Sequence, residues 1–202
     1  MLLLSLLEYS PEFPRFCRHN PACPVFATSF VAKVGKHNLN LKKESMSVHE
    51  NSSCITPFLW FDTNAGEAVD FYLSVFKNSR RITELRTPCD APSAPAGTII
   101  TVVFELDGQR FTAFNGGPAY KFNPAVSFVI RCDTQDEIDD YWERLTADGR
   151  EVQCGWLVDK FGLSWQVVPA RIGELVSHPK AMQAMMTMKK LDIAALERAA
   201  QD

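Results

Sequence analysis

The 202-residue sequence predicts an α+β fold in which two β-α-β-β-β units form a curved mixed sheet, followed by C-terminal helices. Two observations predict this fold. A strand-like apolar run followed by an amphipathic helix occurs twice along the chain. The two occurrences also share residues at matching places, since Asp62 and Thr63 at the first strand-to-helix junction correspond to Asp133 and Thr134 at the second. Such self-similarity indicates an internal duplication.

The first unit starts with a predicted buried strand over residues 55–62. A helix is expected over residues 65–78, with Asn64 as its N-terminal cap, because apolar residues recur there at helical spacing. Residues 80–87 predict a second strand. Residues 98–115 predict two further strands joined by an Asp-Gly pair, which is typical of a tight β-hairpin turn.

The second unit repeats this order. Residues 125–133 predict a strand, and residues 134–149 an amphipathic helix capped by Thr134. Residues 151–159 and 161–169 then predict strands around a Phe-Gly turn.

The chain divides into three parts. Residues 1–53 lack sustained helical or strand periodicity and are expected to form a poorly ordered extension, in which Met46 is a candidate natural start. Residues 54–169 form the duplicated domain. Residues 170–202 predict a helical tail whose last helix Asp192 caps.

Composition excludes several classes of function. A formal charge of -3 without a Lys/Arg block argues against a nucleic-acid partner. No run approaches the roughly 20 apolar residues needed to cross a bilayer, which argues against a membrane partner. Six cysteines without a CxxC pair predict free thiols and therefore a reducing, cytoplasmic location.

Strand alternation predicts which side chains line a cavity. In the strands of the second unit, Phe128 and Ile130 point to one face, while Ser127, Arg131 and, on the last strand, Gln166 belong to the other. Polar side chains on one face of otherwise buried strands indicate a lined cup, because unpaired buried polar atoms cost about 1 to 3 kcal/mol each.

The same argument applies to the first unit through the repeat. The alternative is that these polar groups satisfy one another, as an ion pair between Arg131 and Glu105 would do. Cys154 is a further candidate, because a backbone kink beside Gly155 could expose its sulfur to the cup. The predicted ligand-binding residues are Glu105, Thr112, Phe114, Asn115, Ser127, Arg131, Cys154, Trp156 and Gln166.

Several segments resemble one known family. The strings ITPFLWFDTNAGEAVDFY, FTAFNGGP and QCGWLVDKFGLSWQVVP, and the tail MKKLDIAALERAA, are similar to the PhnB-like family, often labelled 3-demethylubiquinone-9 3-methyltransferase. This family belongs to the vicinal oxygen chelate superfamily, the glyoxalase-like fold of glyoxalase I, extradiol dioxygenases and bleomycin-binding proteins. The resemblance covers about residues 55–200 and implies that fold and a homodimer.

The resemblance also indicates where a metal would be held. Metal-dependent members place His or Glu ligands near the start of the first strand and in the last strand of each unit. Those places fall here on Thr56 or Pro57, Thr112, Ser127 and Gln166, none of which is a histidine or a carboxylate. Transition metals usually need at least three imidazole, thiolate or carboxylate ligands, so we expect no metal and no cofactor.

These observations leave three hypotheses for the function. The leading one is a metal-free protein that binds a small organic molecule in the cup. The second is an enzyme, either a metal-dependent lyase or dioxygenase or a methyltransferase, although the Gly-rich turn at residues 115–118 precedes no predicted helix and so does not resemble a nucleotide-binding loop. The third is a dimeric interaction protein whose own side chains fill the cup.

Overall fold

The computed structural model describes residues 54–90 and 94–201. The expectations for residues 1–53, including Met46 as a start, lie outside the described residues.

The first unit forms a four-stranded mixed sheet with one helix. Its strand order is β1-β4-β3-β2, in which β1 runs parallel to β4 and the remaining neighbours are antiparallel. The elements are β1 (Phe58–Phe61), α1 (Ala65–Val75), β2 (Ser79–Arg86), β3 (Ile99–Leu106) and β4 (Gln109–Asn115).

The second unit repeats this topology in a second four-stranded sheet, ordered β5-β8-β7-β6 with β5 parallel to β8. Its elements are β5 (Ser127–Cys132), α2 (Gln135–Thr146), β6 (Arg150–Glu151), β7 (Trp156–Val158) and β8 (Ser164–Pro169). The predicted α+β fold of two β-α-β-β-β units is therefore confirmed, with the strands divided between two sheets. The strand predicted over residues 151–159 is split, because Cys154 and Gly155 both have positive φ angles, 62° and 80°.

Three helices follow the duplicated domain, namely α3 (Ile172–Leu175), α4 (Pro179–Thr187) and α5 (Ile193–Gln201). Their apolar side chains form a small core with the end of β8, consisting of Val168, Leu175, Leu191 and Leu196. The predicted cap at Asp192 is confirmed, since its Oδ1 accepts a hydrogen bond of 2.8 Å from the backbone N–H of Ala195. In the described part of the chain, no helix is long and apolar enough to span a membrane.

The two main helices begin differently. Thr134 caps α2 as predicted, because its Oγ1 accepts from the backbone N–H of Glu137 at 3.2 Å. The predicted cap of α1 is wrong: Asn64 occupies the cap position, but its side chain makes no capping bond. Asn115 at the end of β4 accepts from the N–H of Ala65 at 2.8 Å instead. It can do so because β4 pairs with β1, which leads into α1.

One hydrophobic core joins the two units. Both helices contribute to it, and so does one face of each sheet. Aromatic pairs cross between the units, with ring centroids 5.1 Å apart for Phe111 and Phe128, and 5.2 Å apart for Phe76 and Trp165. The duplicated domain is therefore stabilised as a whole by packing between its halves.

Asp159 is the polar centre of this core and is only 3% exposed. Its Oδ2 accepts from the Tyr72 hydroxyl of α1 at 2.9 Å and from the Trp165 indole N–H of β8 at 2.8 Å. Its Oδ1 accepts from the backbone N–H groups of Phe161 at 2.9 Å and Leu163 at 3.0 Å. Burial raises the pKa of Asp159, and these four hydrogen bonds oppose that rise. Residues 159–165 (DKFGLSW) thus form a turn that is hydrogen-bonded, through Asp159, to helix α1 of the first unit.

Replacing Asp159 with alanine leaves four buried donors without an acceptor, so we expect a loss of roughly 3 to 5 kcal/mol in the free energy of unfolding. The control Tyr72→Phe removes a single hydroxyl and is expected to cost about 1 kcal/mol. Urea unfolding followed by circular dichroism measures both. A similar loss for the two variants would show that Asp159 acts through its contact with Tyr72 alone.

Candidate functional site

Each sheet has a core face and a second face, which we call the open face. On the first sheet the open face is defined by cross-strand register: Phe58 pairs with Thr112 and Thr112 with Val103, while Glu105 pairs with Arg110. The alternating residues of β1, β3 and β4 that point away from the core are Phe58, Trp60, Thr101, Val103, Glu105, Arg110, Thr112 and Phe114.

Aromatic rings cover one end of this open face. The ring centroid of Phe114 lies 5.7 Å from that of Phe58 and 4.9 Å from that of Trp60. Phe58, the first residue of the edge strand β1, is 60% exposed. The row is therefore an apolar surface available to a ligand or a partner.

The glycine-rich turn after β4 holds the Trp60 ring in place. The indole N–H of Trp60 donates to the backbone carbonyl of Gly117 at 2.9 Å. A Cβ atom at Gly116 would lie 2.2 Å from the indole ring, so only glycine fits there. Gly116 is therefore explained by packing against an aromatic side chain, whereas Gly117 has a positive φ angle of 82°, which favours glycine.

Charged groups cover the other end of the first open face. Glu105 pairs with Arg80 at 3.1 Å and more distantly with Arg110 at 3.8 Å. The alternative pair between Glu105 and Arg131 is therefore wrong, because arginines of the neighbouring strands β2 and β4 are closer in register. The Nε of Arg110 is buried and has no hydrogen-bond partner within the described chain.

The open face of the second sheet is more polar. The side-chain amide of Gln166 donates to the Ser127 hydroxyl at 2.9 Å, and Trp156 is paired in register with Gln166. Val129 on the same face is 47% exposed. The Ser164 hydroxyl also belongs to this face; it is buried and makes no hydrogen bond within the described residues.

The nine predicted residues are divided among several places. Glu105, Thr112 and Phe114 lie on the first open face, and Ser127, Arg131, Trp156 and Gln166 on the second. Asn115 lies on the opposite side of β4, where its amide binds the start of α1 and also donates to the carbonyl of Ile99 at 3.0 Å. Cys154 lies in the break between β6 and β7, where its backbone N–H donates to Met188 at 2.8 Å.

Arg131 also lines a cleft of about 480 Å³ between the free edge of β5 and the turn joining β3 to β4. Asp107 and Tyr141 line the same cleft. Arg131 makes no ion pair with any described residue, so its guanidinium is available to a partner or a ligand.

Sequence reasoning missed Phe58, Trp60 and Arg110 of the first open face, and also Arg80 of β2, which pairs with Glu105. Applying strand alternation to β1 would have found two of them, since Leu59 and Phe61 face the core and Phe58 and Trp60 must then face away. The two arginines could not be found from local pattern, because their contact with Glu105 depends on strand register.

The Cys132 thiol does not have the character of a catalytic nucleophile. Burial, and then the charges of Glu137 and Asp133, raise the pKa of Cys132 to about 12, which leaves it protonated near neutral pH. This supports the interpretation of Cys132 as a small apolar core residue.

The residues at the expected metal positions do not fit a transition metal. They provide the hydroxyls of Thr112 and Ser127, the amide of Gln166 and, at the first position, either the hydroxyl of Thr56 or no ligand group from Pro57. Ser127 and Gln166 are hydrogen-bonded to each other. Hydroxyls and amides are weak ligands for such ions. Among residues 54–90 and 94–201, no group of three or more His, Cys, Asp or Glu side chains is arranged to hold a metal.

We therefore expect the protein, purified without added metal, to contain far less than one transition metal per chain, with a melting temperature that does not change on addition of a chelator. Elemental analysis and thermal unfolding with and without chelator measure this. About one metal per chain, lost together with thermal stability on chelation, would contradict the account of the open faces.

The paired β-α-β-β-β units, each with its first strand parallel to its last, define a protein of glyoxalase-like fold. The family model described as 3-demethylubiquinone-9 3-methyltransferase matches residues 53–168, which is more than half of the chain. The chain belongs to this family, the PhnB-like branch of the vicinal oxygen chelate superfamily.

Solved structures agree with this assignment. A putative 3-demethylubiquinone-9 3-methyltransferase, the PhnB protein from Bacillus cereus, is 34% identical with a TM-score of 0.53, and the match covers 57% of this chain and 99% of that one. Protein PA1353 from Pseudomonas aeruginosa is 21% identical with a TM-score of 0.50, over 58% of this chain and 98% of that one, and supports the fold alone. A comparison with curated proteins finds no match.

Proposed function

We propose that this protein is a homodimer that binds a small organic molecule against its open sheet faces, without a transition metal. The observation that carries the proposal is the row of exposed Phe58 with half-buried Trp60 and Phe114, beside the half-buried pair of Glu105 and Arg110. Apolar surface next to a few fixed polar groups is the usual composition of a ligand site.

The proposed ligand has an apolar or aromatic part and at least one hydrogen-bonding group. The aromatic row offers ring faces and edges, while the half-buried guanidinium of Arg110, whose Nε meets Glu105 only at 3.8 Å, offers a charged donor. On the second sheet, the unpartnered Ser164 hydroxyl and the Gln166 amide offer further polar contacts. Buried polar atoms without partners are costly, so a bound group that satisfies them would stabilise the complex.

A second copy of the chain is the proposed cover for the exposed apolar residues. Phe58, Leu85 and Val129 are 60%, 57% and 47% exposed, and all three lie on sheet strands. Exposed strands with apolar side chains invite association, and closed pairs are the commonest form of self-association. A dimer would also bring residues of the two open faces around one cavity, which explains why a single chain keeps them apart.

The methyltransferase of the family description has no support in the turn at residues 115–118. Its Gly116 makes room for the Trp60 ring, and no helix follows the turn directly. A nucleotide-binding loop would instead place glycines between a strand and the start of a helix. The proposal therefore stops at binding.

The dimer is tested by light scattering at micromolar concentration, where we expect twice the chain mass of 22.7 kDa. Phe58→Lys places a charge in the proposed interface and should weaken association at least about tenfold, because burying a phenylalanine contributes about 1.5 to 3 kcal/mol. Met186→Lys is the matched control, since Met186 is 63% exposed and lies on helix α4 and not on a strand. A monomeric wild-type protein, or equal effects of the two variants, would contradict the dimer.

The ligand is tested by a thermal-shift screen of small aromatic and partly polar compounds. A compound present at 100 times its dissociation constant should stabilise the fold by about 2.7 kcal/mol. Phe114→Ala and Gln166→Ala should each reduce that stabilisation, whereas Met186→Ala should leave it unchanged. Compounds that stabilise all four proteins equally would place the binding site elsewhere.

A further inference from the structure

A second cleft, separate from the open faces, lies where three segments meet. The end of β1, the chain after β4 and the turn between β7 and β8 enclose a volume of about 380 Å³. That volume is within the range of small-molecule sites, roughly 300 to 1,000 Å³. Five aromatic residues line it, namely Trp60, Phe61, Tyr120, Phe122 and Phe161.

The aromatic walls of this cleft are fixed by contacts with one another and with the surrounding chain. The indole of Trp60 is anchored by its hydrogen bond to Gly117, and its ring meets Tyr120 edge to face at 4.9 Å. The Phe122 ring packs against the core residue Phe61 at 5.1 Å. Tyr120 is nevertheless 65% exposed, so one side of its ring is available to a guest molecule. Such a preformed site loses little conformational entropy on binding.

Two lysine side chains line the cleft, and their positive charge favours an anionic ligand. The ammonium of Lys160 lies 4.6 Å from the ring centroid of Phe71 and 5.2 Å from that of Phe161, a cation–π arrangement that fixes its position. It makes no ion pair with any residue that the structure describes. Lys121 also lines the cleft and meets Asp62 only at 3.9 Å. The cleft is thus lined by two ammonium groups and one carboxylate, that of Asp62, and these side chains together carry a positive charge.

We infer that this cleft binds a small planar aromatic carboxylate. Its ring system would lie against Trp60 and Tyr120, and its carboxylate would meet the ammonium of Lys160. The inference does not depend on the function proposed for the open faces, because the lining of this cleft shares with them only Trp60.

Isothermal titration with 2-naphthoate tests the inference on the full chain. We expect saturable binding of 2-naphthoate and none of 2-naphthamide, which has the same rings without the charge. Lys160→Met should weaken binding at least about tenfold, because hydrogen bonds to charged groups are among the stronger ones. Lys77→Met is the matched control, since Lys77 is also exposed but lies beyond the end of α1, and it should bind as the wild type does.

Tyr120→Ala is the second variant and should also weaken binding. Both Lys160→Met and Tyr120→Ala should keep the melting temperature of the wild-type protein. Absence of saturable binding, equal binding of acid and amide, or wild-type affinity in Lys160→Met would overturn the inference. Loss of 2-naphthoate binding in Gln166→Ala would also overturn the inference, because it would show that the compound binds at the open faces and not in this cleft.

Discussion

The buried carboxylate of Asp159 is the interaction on which the arrangement of the two units depends. It accepts hydrogen bonds from Tyr72 in the first unit and from Trp165, Phe161 and Leu163 in the second. A buried charge is tolerated only when its partners are all in place, so this centre fixes the position of α1 relative to the turn between β7 and β8. The segment DKFGLSW of the family-like string QCGWLVDKFGLSWQVVP is thus explained by these structural contacts.

With that centre fixed, the division of each sheet into a core face and an open face follows. Leu157, Trp165 and Val167 are buried on the core face of the second sheet, while Trp156 and Gln166 alternate with them onto the open face. The core face is satisfied within one chain. Among the described residues the open faces are not, because they retain an exposed phenylalanine ring and two buried polar atoms without hydrogen-bond partners. We propose that the core faces serve folding and the open faces serve recognition.

Much of this arrangement could be predicted from the sequence. Local periodicity fixes the order of strands and helices, and alternation places Thr112 and Gln166 on faces away from the core. Contacts that join distant segments could not be predicted in this way. The amide of Asn115 caps α1 from 50 residues away, in place of the neighbouring Asn64, and the partners of Glu105 depend on register. The separation of the strands into two sheets likewise depends on how the units pack.

The indole N–H signals of the four tryptophans test most directly the claim that recognition belongs to the open faces. Trp60 and Trp156 lie on those faces, whereas Trp142 and Trp165 are buried in the core. Nuclear magnetic resonance spectra of the protein can be recorded while it is diluted through the concentration at which light scattering shows dissociation. The account predicts that the Trp60 and Trp156 signals shift while the Trp142 and Trp165 signals stay in place. Four unchanged signals, or shifts confined to the core pair, would contradict it.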